Sequence, residues 1–236
     1  SAWGNPRILG GHVSSVRLCH LYPTQMNIYA DRGNIAVLAK RLEWRGRSLD
    51  VTEVGLGEQV KPGEHDLYYL GGGQDRDQRV VAQDLANTKA SALRSAAQDG
   101  AAFLWVCGGI QLAGDGYTDA SGTRLPGVGV LDLDTEAGEK RLIGDLVIMA
   151  ELDGNKQQVV GYENHVGRTY LGPAAKPFGT VISGHGNNGS TGVEGAVHQR
   201  VVGTYLHGPL LPKNPWLADT LLSWALDHAG TDSALG

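Results

Sequence analysis

The sequence predicts an α/β fold with a mostly parallel central sheet and helices on both faces, and three features carry that prediction. Short apolar runs alternate with helical patterns through the N-terminal half, which is the signature of βαβ units. The run Ala101-Ala102-Phe103-Leu104-Trp105-Val106 is apolar without alternation, as suits a strand covered on both sides. Glycines close the runs, most plainly Gly71-Gly72-Gly73 after Leu70 and Gly108-Gly109 after Cys107, where the chain must turn tightly.

In chain order, the first strand is expected over 16–22, bounded by Pro23. Ile35, Leu38, Ala39 and Leu42 recur at helical spacing and predict a helix over 34–42. Strands follow over 49–54 and 66–70. The pattern from about 77 to 98 is helical, with Val81, Leu85, Ala92 and Ala96 on one face and Gly100 as the stop. The buried strand over 101–106 comes next. The C-terminal half is richer in short strands, expected over 127–131, 142–151, 159–162, 179–182 and 199–206. Asn214 as N-cap and Pro215 at the first helical position open a final helix with a stripe of Leu217, Leu221, Trp224 and Ala225. The 184–195 stretch, with Asn187-Asn188-Gly189-Ser190, reads as a mobile surface loop. No repeat or linker interrupts the pattern, so one domain is expected over 1–236.

Composition narrows the function. A hydrophobic fraction of 41% with 19% charged residues is that of an ordinary globular chain. The formal net charge of -5 offers no footprint for nucleic acid. No apolar run approaches the roughly 20 residues that span a bilayer. Ser1-Ala2-Trp3-Gly4 lacks the charged and apolar segments of a signal peptide. Cys19 and Cys107 are the only cysteines, which argues against a disulfide framework and for a reducing compartment, so the cytoplasm is expected. No histidine pair with a carboxylate has metal-ligand spacing, and no metal is expected.

Cys107 ends an apolar strand and precedes Gly108-Gly109-Ile110-Gln111-Leu112. This is the layout of a nucleophile on a sharp strand-to-helix turn, where small neighbours let the backbone approach a substrate. A helix starting there favours the thiolate, the reactive form. The N–H of Gly108 is then expected to face an oxyanion, with a second donor from the glycine turn at the neighbouring strand end: Gly73, or as the alternative Gly72. Cys19 lies inside a strand without a glycine turn and reads as packing. Of eight histidines, His207 is the best placed to move the proton, because Val201, Gly203, Tyr205 and His207 share one strand face and the imidazole emerges at Gly208-Pro209. His12, His20, His65 and His228 read as surface or packing residues. Spacing alone supports a cysteine hydrolase and goes no further.

Val106-Cys107-Gly108-Gly109-Ile110-Gln111 with Tyr205-Leu206-His207-Gly208-Pro209 resembles the class I (triad-type) glutamine amidotransferases, in their cobyric-acid-synthase-like branch. Leu21-Tyr22-Pro23-Thr24-Gln25-Met26-Asn27-Ile28-Tyr29, Gly161-Tyr162-Glu163-Asn164-His165-Val166-Gly167 and the 204–215 block resemble, more narrowly, the subgroup whose members serve a Mur-type ligase. The resemblance implies the flavodoxin-like fold of that class. It also implies a division of labour. This chain would hydrolyse L-glutamine through a thioester at Cys107, with His207 as general base and acid. Ammonia would pass to a MurT-like ligase that uses ATP to amidate the D-glutamate α-carboxyl of lipid II. No cofactor is implied in this chain itself, the ATP belonging to the ligase. Arg141 matches a family arginine that grips glutamine, sensibly so, since a guanidinium can hold an α-carboxylate at two points. Gln111 matches a family glutamine near the nucleophile and is expected to contact substrate. Asn164 and His165 lie in the family-like 161–167 block, Asn164 being read as substrate-binding with a structural turn as the alternative.

One departure matters. Triad members show His-x-Glu, whereas Gly208 and Pro209 follow His207 here, and in the subgroup the resemblance implies an aspartate supplied by the partner. Other readings stay open at this point: the glutaminase part of a corrin-ring amidating enzyme, a catalytically weak regulatory module of the same fold, or another cysteine hydrolase of flavodoxin-like architecture. The absence of a G-x-x-x-x-G-K-[ST] loop weighs against the first.

Overall fold

The computed structural model describes residues 14–27 and 32–235. Ser1 to Gly4, His12, Ile28 and Tyr29, all invoked above, lie outside the described residues. Strands β1 (Ser15–Leu21), β2 (Ser48–Val54), β3 (Leu67–Leu70) and β4 (Ala102–Val106) are interspersed with helices α1 (Arg32–Glu43), α2 (Asp75–Asp84), α3 (Ala90–Gln98) and α4 (Gly108–Ala113), although β2 passes to β3 with no helix between them. With β11 (Ala196–His198) and β12 (Val201–Thr204) they build a six-stranded sheet ordered β11-β12-β4-β3-β1-β2, in which only β11 runs antiparallel.

Alternation along these strands divides the core in two. Cys19, Tyr68, Phe103, Trp105 and Val201 pack on one face with Val81, Leu85 and Leu93. Leu18, Tyr69, Leu104, Val106 and Val202 pack on the other, beneath α1 and the last helix. Both faces being covered is the reason the central strands are apolar throughout. Cys19 is fully buried, as a packing residue should be. Gly100 takes a positive φ of 90° and ends α3, as the sequence predicts.

The second sheet comes from the C-terminal half: β5 (Gly116–Thr118), β6 (Arg124–Pro126), β7 (Leu133–Leu152), β8 (Asn155–Leu171), β9 (Gly179–Ser183) and β10 (Val193–Glu194). Its order is β10-β9-β7-β5-β6, with β8 paired to β7 in one long hairpin. Asp153 and Gly154, both at positive φ, form the two-residue turn that matches the twist of the flanking strands. Helices α5 (Leu210–Lys213) and α6 (Pro215–His228) close the chain, with Leu217, Leu221, Trp224 and Ala225 all buried.

Five expectations need correction. The 77–98 helix is interrupted by a π-helical turn over Leu85–Lys89, where Thr88 Oγ1 bonds the Asp84 carbonyl and buried Lys89 reaches Asp84 at 2.6 Å. The 127–131 segment is a loop, not a strand. Its N–H groups at Val128, Gly129, Val130 and Leu131 satisfy the carbonyls of Leu112, Gly114 and Ala113 at the end of α4. The 199–206 strand is shorter, because Gln199 turns at φ 52° and β12 ends at Thr204. Asn214 precedes α6 but gives it no side-chain cap; its amide instead takes both backbone groups of Val160 and the Leu210 carbonyl. The 184–195 segment is pinned rather than loose. Asn187 exchanges two bonds with the Gly195 backbone, and Asn188 Oδ1 receives the N–H groups of Ser190 and Thr191.

Candidate active site

Cys107 stands one residue beyond β4, and its N–H still bonds the Thr204 carbonyl of β12 at 2.8 Å. Its backbone is then forced to φ 54°, ψ -118°, a conformation that L residues avoid and that surrounding structure must hold in place. Close packing of glycine backbone does so. A Cβ on Gly109 would meet the Leu70 carbonyl at 2.9 Å, and one on Gly72 would meet Cys107 Cβ at 3.0 Å. The elbow therefore needs glycine on both sides. The cysteine is 8% exposed and forms part of the wall of a cavity of about 540 Å³.

Gly73, Gly108, Gln111, Arg141 and Asn164 share that wall with Cys107. Gly73 and Gly108 are neighbours, the Gly73 nitrogen lying 3.6 Å from where a Gly108 Cβ would be. Gly72 sits behind the wall, so Gly73 is the glycine of its turn that meets the cavity. Behind Gly73 is the turn over 22–26: a Cβ there would fall 2.3 Å from Met26 Sδ and 3.0 Å from the Gln25 carbonyl. That packing accounts for part of the 21–29 block.

His207 stands behind the wall, three residues past β12. It exchanges backbone hydrogen bonds with Tyr162 at 3.1 and 3.0 Å, while Asn164, two residues along β8, brings its carbonyl to 4.0 Å from Cys107 Sγ. One strand thus touches both halves of the expected pair. Burial, and secondarily His165 and Lys213, lower the basicity of His207 to about 4. Asn214 fixes the following turn to β8, and Asn34 fixes it to α1 by accepting the Leu211 N–H at 2.8 Å.

Gln111 is largely committed within the protein. Gln78 Nε2 donates to its carbonyl oxygen at 2.5 Å, and its own amide donates to Tyr205 Oη at 3.2 Å; Thr169 and Thr135 continue the chain of bonds. Gln78 also donates to the Gly108 carbonyl at 3.3 Å. Arg141 comes from a bulge between Ala137 and Leu142 of β7 and donates to Asn164 Oδ1 at 3.0 Å. Arg168 straps that bulge through the carbonyls of Lys140 and Val166, its guanidinium occupying the space a Gly138 side chain would need.

Further residues complete the site: Gln78 and Glu194, which the sequence does not single out, and His165 and Glu163, which lie in the 161–167 block without a role read from it. Gln78 sits amid the apolar stripe of α2, and a polar side chain on a buried stripe was the available signal. His165 stacks on Tyr205 at 3.7 Å; a carbonyl only accepts, so its Nδ1 donates to Gly167 O, leaving Nε2 facing Glu163 at 3.2 Å. The Glu163 carboxylate also takes the N–H groups of His185 and Gly186. A second buried acid, Glu194, bonds the Tyr205 N–H and the Thr204 hydroxyl. Burial, with Glu163 adding to it, pushes Glu194 up to about 8 against those two bonds. Glu163 falls within the 161–167 block, but no sequence signal marks Glu194.

An elbow cysteine at the carboxyl edge of a parallel sheet, beside paired glycines and a strand-end histidine, defines the class I glutamine amidotransferase architecture. PurLQS from Thermotoga maritima superposes with a TM-score of 0.56 over 81% of this chain and 87% of that one, at 16% identity. The glutaminase domain of Trypanosoma brucei CTPS, with bound acivicin, gives 0.52 over 94% and 96%, at 13% identity. At such identities the likeness is one of fold. The chain belongs to the CobB/CobQ-like glutamine amidotransferase domain family, which it matches over residues 17–215. It is 40% identical over 214 residues to the lipid II isoglutaminyl synthase (glutamine-hydrolyzing) subunit GatD of Staphylococcus aureus, covering 89% of this chain and 84% of that protein. The GatD subunit of Streptococcus pneumoniae is 38% identical over 218 residues, covering 92% and 83%. The cobyric acid synthase of Jannaschia sp. is 32% identical over 199 residues, 78% of this chain but only 38% of that protein.

Proposed function

We propose that this chain is the glutamine-hydrolysing subunit of a lipid II isoglutaminyl synthase, acting in the cytoplasm with a MurT-like ligase. The observation that carries the reading is the forced backbone of Cys107 in a cavity walled by Gly73, Gly108 and Arg141, in a chain 40% identical to a GatD subunit.

In this reading the Cys107 thiolate attacks the side-chain amide carbon of L-glutamine. The N–H groups of Gly73 and Gly108 receive the oxyanion. His207 takes the thiol proton and gives it to the departing ammonia, leaving a γ-glutamyl thioester; it then draws a proton from the water that hydrolyses it. Arg141, braced by Asn164, holds the substrate α-carboxylate. Gln111 acts at second hand, fixing α4 and the Gly108 carbonyl through Gln78.

Ammonia then passes to the ligase, which activates the D-glutamate α-carboxyl of lipid II with ATP. The ligase also supplies a carboxylate to His207. Two facts support this: Gly208-Pro209 stands where a His-x-Glu acid would be, and an imidazole lowered to about 4 is a weak base until an acid raises it. Glutamine hydrolysis would then wait on assembly.

The test is co-expression with Mur-type ligases, followed by mass spectrometry of lipid II. Glutamine-dependent conversion of its D-glutamate to D-isoglutamine is the expected result. Conversion of a corrin substrate instead, or glutaminase activity unchanged by any ligase, would overturn the reading.

A further inference from the structure

The cavity wall carries two charged groups that the protein does not neutralise. Asp75, the first residue of α2, and Arg141, from the β7 bulge, both line it. Tyr117 lies within electrostatic reach of both: after burial, the Asp75 and Asp119 carboxylates push its phenol up, while Arg141 and Arg79 pull it back. Arg79 and Asp119 are paired with each other at 2.6 Å. Among the described residues neither Asp75 nor Arg141 forms an ion pair; Arg141 makes only its bond to the neutral Asn164 amide.

A carboxylate and a guanidinium, each without a countercharge, presented in one cavity around one tyrosine, match a ligand that is itself both cation and anion. An α-amino acid head group is such a ligand. We propose that Asp75 receives the α-ammonium of the glutamine whose α-carboxylate Arg141 holds, so that the cavity selects a free α-amino acid. This rests on the glutaminase reading above. The amide at Cys107, the carboxylate at Arg141 and the ammonium at Asp75 give three attachment points, enough to distinguish the L from the D form. A purely structural Asp75, favouring the start of α2 through the helix dipole, would leave substrate choice untouched.

The experiment uses the full-length chain carrying Cys107→Ala, alone and with its ligase, titrated calorimetrically with L-glutamine and with glutaramate, which lacks only the α-amino group. The expected result is L-glutamine bound at least about tenfold more tightly, with Asp75→Asn erasing most of that ratio by weakening glutamine alone and Asp75→Glu restoring part of it. An unchanged ratio in Asp75→Asn, or equal binding of the two ligands by the parent, overturns the ammonium site while leaving the glutaminase reading intact. Failure of the folded parent to bind L-glutamine in either form overturns both.

Discussion

Tyr162 and His207 exchange both backbone hydrogen bonds, at 3.1 and 3.0 Å, outside any regular strand pair. Their rings meet edge to face at 5.6 Å. The histidine is thus positioned by β8, the strand that also approaches Cys107, rather than by its own strand β12, which ends three residues earlier.

Gly161 makes that bridge possible. A Cβ on Gly161 would fall 2.9 Å from the His207 carbonyl oxygen and 2.9 Å from Leu206 Cδ2. Gly161→Ala should displace the histidine and lower kcat for glutamine about ten- to hundredfold, since small misplacements of a catalytic group cost that much. Diazoketone labelling of Cys107 measured alongside kcat separates a moved base from an unfolded site: the expected loss of turnover comes with the cysteine still in place.

The two cysteines should differ sharply in reactivity. Burial pushes the Cys19 thiol up to about 12, and it has no exposed surface. A glutamine-mimicking diazoketone should therefore modify Cys107 alone in the native complex. Peptide mass spectrometry checks this, and Cys19 should react only after denaturation.

His207 makes the fold sensitive to acid. Its folded value, about 4, lies below the ordinary 6.5, so between those values the unfolded chain binds the extra proton. Stability from this residue is complete above pH 6.5 and is lost as pH falls toward 4. Relative to His207→Asn, the native chain should lose roughly 2–3 kcal/mol between pH 7.5 and 4.5, read from urea unfolding.

Glu194 acts in the opposite direction. Raised to about 8, it keeps its proton in the folded state where the unfolded chain releases it near 4.5. Its contribution is present at low pH and lost as pH rises through 8. Compared with Glu194→Gln, the native chain should weaken by roughly 2–4 kcal/mol from pH 5 to 8. The same unfolding series measures it.

The N-terminal sheet and the elbow were legible because each depends on a local pattern: an unbroken apolar strand, then cysteine, then two glycines. The long β7–β8 hairpin is only partly legible: its apolar stretches read as strands over 142–151 and 159–162, while polar residues mask the rest, although Asp153-Gly154 is a strong hairpin signal. The 127–131 segment has strand composition, yet its partners are helix carbonyls, which no window of sequence reveals. The same holds for the 184–195 segment, held by Asn187 across to Gly195 and by Glu163 from another strand. Arg141 could be placed only by resemblance, because its position depends on a bulge strapped by Arg168 from the facing strand.

The central claim is that Cys107 is the route by which glutamine nitrogen reaches the ligase, as ammonia. The most direct measurement is lipid II amidation by the complex carrying Cys107→Ser, supplied in parallel with glutamine and with an ammonium salt. The account predicts loss of glutamine-driven amidation by at least about a thousandfold, with ammonium-driven amidation unchanged. Glutamine-driven product from the folded Cys107→Ser complex would contradict it.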